Sequence, residues 1–144
     1  MSQSLTHARH NKDACDFLHT DGGYPDWVIT TAFYSAMHYA YCIIFPCSEG
    51  GKSYNDIESY SNDNKIAPTK HGITTSLVIK KYFSISANYK LLKDAAHTAR
   101  YHDFNHPPEV VGKIRRALDK ISIFCEAEYM RKNPPSPTTP APDP

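Results

Sequence analysis

Between Trp27 and Ser48 the chain carries no Asp, Glu, Lys or Arg, and this run limits its fold more than any other feature. The run is about as long as a membrane span. Trp27, Tyr34, His38, Tyr41 and Phe45 fall at helical spacing along it, and Ala32, Ala36, Tyr39 and Ile43 cover a second face. A helix apolar nearly all round belongs either in a bilayer or at the centre of a helical bundle. Thr30, Thr31, Ser35, His38 and the tyrosines inside the run decide between the two. Their polar groups are costly in lipid and cheap in a protein core that supplies partners. The expectation is a central bundle helix over about Pro25–Phe45 and no membrane span. Proline suits the first helical turn, and Asp26 suits the positive end of the dipole.

Four further helices are expected around it. The first covers about Ser4–His19, with Leu5, Ala8, Ala14, Phe17 and Leu18 as its apolar side and Asp21-Gly22-Gly23 as its stop. Another starts after Thr69, a suitable N-cap, and runs to Phe83. Ser84 to Ala87 should break the chain before a helix over about Asn88–Tyr101, whose Tyr89, Leu92, Ala96 and Ala99 repeat at 3–4 spacing. The last covers about Pro108–Met130, with a stripe of Val110, Val111, Ile114, Leu118, Ile121, Phe124 and Cys125. Residues 46–69, rich in Ser, Gly, Asn and Asp, read as a long loop with a helical turn near Ile57. No strand alternation competes. The fold class is all-α, a bundle of four to five helices over residues 1–132. Six of the twelve residues from Asn133 to Pro144 are proline, which predicts a disordered tail over 133–144.

Cys15, Cys42, Cys47 and Cys125 form no CxxC pair. Met1 to His10 lacks the apolar segment of a secretory signal. Reduced thiols and a cytoplasmic location follow as expectations. Net charge is only +1, yet residues 1–64 hold three basic and eight acidic side chains, while residues 65–132 hold thirteen and six. A basic C-terminal half suits a polyanion such as RNA, and equally suits solvated helix faces.

No P-loop, GxGxxG, GxSxG or HExxH is present, and Gly50-Gly51-Lys52-Ser53 lacks the earlier glycine of a phosphate loop. The chemically richest run is Arg100-Tyr101-His102-Asp103-Phe104-Asn105-His106. Metal-free RNA cleavage uses such types: a histidine exchanges protons with the ribose hydroxyl and the leaving oxygen, and an arginine holds the phosphate. A surface loop at a helix end has the same composition. His102 and His106 are also four apart, as metal ligands on a helix can be, but no further ligand set accompanies them and no metal is expected. His38, on a helix that reads as buried, is either a hydrogen-bonded core residue or a functional one.

Asp26-Trp27, then Ala32-Phe33-Tyr34-Ser35-Ala36-Met37-His38-Tyr39, then Lys70-His71-Gly72, then Ala99-Arg100-Tyr101 together resemble a branch of the HEPN superfamily, over roughly residues 5–130. The resemblance implies a small antiparallel helical bundle that commonly forms homodimers. Many such proteins are metal-independent ribonucleases without a cofactor, in toxin–antitoxin, phage-defence and CRISPR systems, often beside a nucleotidyltransferase partner. Others bind RNA or proteins without catalysis. The family's motif is Arg, four to six residues, then His; Arg100 and His106 have five between them. Tyr101 stands where a polar residue is usual, and Pro107 follows the histidine. On this reading Arg100 binds the scissile phosphate, His106 or His102 is the general acid or base, and Lys113, Arg115 and Arg116 contact the RNA backbone. A separate site of this branch would draw on His38, His71, Arg100 and Tyr101, if their helices converge.

Overall fold

Ser2 starts the first helix: its hydroxyl accepts from Leu5 N at 3.1 Å. Gly22 ends it in the left-handed conformation (φ 83°) that glycine adopts without strain. The computed structural model describes residues 2–137 and 139–143. Its elements run α1 (Gln3–Asp21), α2 (Pro25–Ile44), β1 (Cys47–Glu49), β2 (Lys52–Tyr54), α3 (Ile57–Asp63), α4 (Lys70–Lys81), α5 (Phe83–Tyr101) and α6 (Pro108–Lys132). The chain is mostly helical, and no helix among the described residues is long and apolar enough to cross a membrane.

The charge-free run is α2, and it packs against α1, α4, α5 and α6. Its Ile29, Ala32, Phe33, Ala36 and Ala40 are fully buried. Thr30, Thr31, Ser35 and Tyr39, among the polar groups that argued against lipid, find hydrogen-bond partners. Ser35 Oγ donates to Ala8 O at 2.8 Å, and Thr30 Oγ1 donates to Asp26 O at 2.8 Å. Cys15 Sγ meets Val28 O at 3.4 Å. Residue numbers rise along α1 as they fall along α2, so the two helices run antiparallel. The same holds for α1 and α6: Asp16 accepts from Arg115 at 2.9 Å, and Arg9 pairs with Glu126 at 2.6 Å. Glu126 also accepts from Tyr39 OH at 3.0 Å, tying α2 into that seam.

Three expectations need correction. Residues 46–69 are not a plain loop. Gly50 (φ 58°) and Gly51 (φ 76°) turn an antiparallel hairpin, Ser48 opposite Ser53, and α3 follows, capped by Asp56. A two-residue turn with both φ positive is the hairpin turn that Gly-Gly favours. The break between α4 and α5 falls at Tyr82 and not at Ser84–Ala87. Ile85, Ser86 and Tyr89 are buried there, and burial outweighs the weak helix propensity of Ser and Ile. Tyr82 OH donates to Ile43 O at 2.9 Å, which anchors the kink to α2. On α1 the core stripe is Leu5, Ala8 and Cys15; Phe17 points outward and is 74% exposed. Trp27 and Val110 are likewise exposed. The described tail residues, 133–137 and 139–143, are exposed and outside helix and strand; Thr138 and Pro144 lie outside the described residues.

Candidate functional site

Thr69 caps α4 by accepting from Gly72 N at 3.0 Å, and this fixes the turn that carries His71. A Cβ at Gly72 would meet Ala67 Cβ at 2.9 Å, so any side chain there would displace the Lys70-His71-Gly72 turn or the chain before it. The His71 ring stands edge-on to Phe33 of α2, centroids 5.5 Å apart. Arg100, in the last turn of α5, reaches the same place from the other side. Its guanidinium lies 5.8 Å from the Phe33 ring, 5.7 Å from Tyr34 and 5.5 Å from Tyr101. A planar cation stacked among aromatic rings is held without losing its donors.

His71 and Arg100 line one cleft of about 420 Å3, with Phe33 as its floor. Lys93, His97 and Thr98 of α5 form its wall, and Asp94 is the acid among the described lining residues. Two nitrogens here, His71 Nδ1 and Arg100 Nη1, are buried and have no hydrogen-bond partner in the protein. Buried polar atoms left so are uncommon, because each costs about 1–3 kcal/mol of lost solvation. Burial lowers the His71 pKa, and the Arg100 and Lys93 charges lower it further. His71 is therefore a neutral imidazole at neutral pH, able to accept a proton, beside two cations. A guanidinium, an ammonium, a hydroxyl and a neutral imidazole around one space suit an oxyanion that carries a neighbouring hydroxyl.

The other predicted residues are distributed differently. His106 lines a separate cleft of about 230 Å3, with Leu18, Tyr24, Val28 and Val111. Its Nε2 lies 2.8 Å from Asp103 O. The Arg100–His106 motif spacing therefore leads to two clefts. The reason is local: α5 ends at Tyr101, and the chain turns through Asp103 before Pro108 starts α6. His102 is the exposed C-cap of α5, its ring 5.6 Å from His97. Tyr101 is 68% exposed, its ring 5.0 Å from His97. His38 is half-buried and stacks on His7 of α1 at 4.9 Å, with Tyr41 edge-on at 5.9 Å. Burial, and then His7, lowers its pKa. Lys113 and Arg116 are exposed on α6, whereas Arg115 is committed to Asp16 across α1.

Sequence reasoning missed Lys93, His97 and Thr98. Lys93, His97 and Arg100 repeat at i, i+4, i+7, one face of α5, and that spacing was the available signal. Among the described residues no group of three His, Cys, Asp or Glu is close enough to hold a metal ion. No family model, no curated protein and no solved structure matches the chain, so the cleft itself carries the functional argument.

Proposed function

We propose that this chain is an RNA-directed, HEPN-like antiparallel bundle that seats a backbone phosphate in the His71–Arg100 cleft and cleaves the chain there without a metal. The observation that carries the reading is the convergence of the Arg100 guanidinium and the His71 imidazole on one cleft beside Lys93. Arg100 and Lys93 hold the phosphate oxygens and stabilise the charge that builds up in transfer. His71, neutral by its surroundings, takes the proton from the ribose 2′-hydroxyl, whose oxygen attacks phosphorus. The bond to the 5′-oxygen breaks, and that oxygen takes a proton from His97. The products are a 2′,3′-cyclic phosphate and a free 5′-hydroxyl. His71 thus takes the role that motif spacing assigns to His106. Cytoplasmic defence or toxin–antitoxin systems are the setting that this reading implies.

Incubation of the purified protein with total RNA in EDTA tests it. Wild type should cut, Arg100→Ala and His71→Ala should lose cutting, and His106→Ala should keep it. Retained cutting by Arg100→Ala sinks the site. RNA binding without cutting reduces the reading to a non-catalytic RNA-binding domain.

A second reading is a protein-interaction module, as a homodimer or with a partner such as a nucleotidyltransferase. Phe17, Phe83 and Ile123, each more than 70% exposed, favour it. Light scattering on the purified chain and co-purification from the host test it. A monomer that recovers no partner removes it.

A further inference from the structure

The cleft opens beside a patch of exposed rings, of which the phosphate chemistry uses only His97. His97 lines the cleft, and its ring contacts Tyr101 at 5.0 Å and His102 at 5.6 Å. Tyr101, in the last turn of α5, is 68% exposed, whereas Tyr89 on the same helix is fully buried. The Arg100 guanidinium sits 5.5 Å from the Tyr101 ring, so anion donor and ring face are adjacent. Within a nucleotide, the phosphate and the base are separated by one sugar.

We propose that the His97–Tyr101–His102 ring patch is a base-stacking subsite that selects an unpaired nucleotide of single-stranded RNA, next to the phosphate seated by Arg100 and His71. The inference rests on the phosphate reading above and adds the substrate's form to it. An exposed aromatic ring offers a π-face to any base, so it gives affinity with little sequence preference. In a duplex the bases are stacked on one another and cannot present a face to Tyr101. The two neighbouring imidazoles extend the platform. Asp94, one helical turn before Thr98, is the acid among the described lining residues of the cleft.

Fluorescence anisotropy with labelled oligonucleotides over a range of salt concentrations tests the subsite. The ligands are an adenine-rich single-stranded RNA, the same RNA paired with its complement, and single-stranded DNA of the same sequence. Single-stranded RNA should bind at least tenfold tighter than duplex. Tyr101→Ala should weaken it about tenfold, with its salt dependence unchanged, and Tyr101→Phe should bind like wild type. Arg100→Ala should weaken binding and reduce the salt slope by about 1. An RNA containing 2-aminopurine should change its fluorescence on binding wild type and not on binding Tyr101→Ala. If Tyr101→Ala binds like wild type, or duplex binds as tightly as single strand, while Arg100→Ala loses affinity, the stacking subsite is wrong and the phosphate cleft stands. Arg100→Ala binding with an unchanged salt slope overturns both. Equal binding of single-stranded DNA overturns selection of RNA.

Discussion

The two clefts, one lined by α5 and the start of α4 and the other by the end of α1 and the starts of α2 and α6, differ in how their polar atoms are treated. In the cleft lined by His71 and Arg100, two buried nitrogens have no protein partner, and Lys93 adds a further cation. In the cleft lined by His106, the walls are Leu18, Val28 and Val111, and the imidazole already meets Asp103 O. A protein that leaves polar atoms buried and unpaired loses stability there. Unsatisfied chemistry, more than the presence of a histidine, therefore separates a candidate site from a filled space. Arg100 and His106 are close in sequence and serve different spaces.

The largest expected effect that would sharpen this contrast is Phe33→Ala. Phe33 is both the floor of the polar cleft and a fully buried core residue. Its truncation should cost about 3–5 kcal/mol of stability, read by urea denaturation, and should remove RNA binding as well. Next comes Arg100→Lys. The ammonium keeps the charge and loses the planar fork, so cleavage should fall about 100-fold if the fork holds a transferring phosphate. Activity unchanged by this variant, or lost in His106→Ala instead, would break the comparison between the clefts. Gly72→Ala follows. The clash with Ala67 should cost about 1–3 kcal/mol and displace His71, so RNA affinity should fall with stability, as melting and anisotropy would show.

Acidification is a gentler probe. His71 and His38 both prefer the neutral form when folded, His71 beside Arg100 and Lys93 and His38 beside His7 and Tyr41. Their contribution is fully present above the ordinary histidine value of about 6.5 and is lost as pH falls through the lower folded values, because the unfolded chain binds more protons in that window. The midpoint of thermal unfolding should drop between pH 7.5 and pH 5, and less so in His38→Gln. The smallest effect expected is Arg115→Ala, about 0.2–1 kcal/mol from a half-exposed ion pair, with RNA affinity unmoved. A loss of affinity would return Arg115 to the binding surface.

Elements set by local periodicity were legible in the chain itself. The charge-free run read as a central helix, and α2 is one, packed against four others. The α6 stripe of Val111, Ile114, Leu118, Ile121 and Cys125 is buried as its spacing required. Less local features were not legible. The α5 start moved back to Phe83 because Ile85 and Ser86 meet the core, a contact that propensity does not see. The hairpin at Gly50-Gly51 had a turn signal but strands of only three residues, too short to show alternation.

The amino-acid sequence by itself determined the helical class and the place of α2 within it, because a 3.6-residue repeat and the absence of charge are properties of one segment at a time. It also placed Arg100 and His71 among the residues worth weighing. Only the tertiary structure decided that these two share a cleft on Phe33, that His106 belongs to another, and that Arg115 is bound to Asp16. Those outcomes depend on how helices distant in sequence pack. A helix end that turns one residue earlier or later sends the next side chain to a different space.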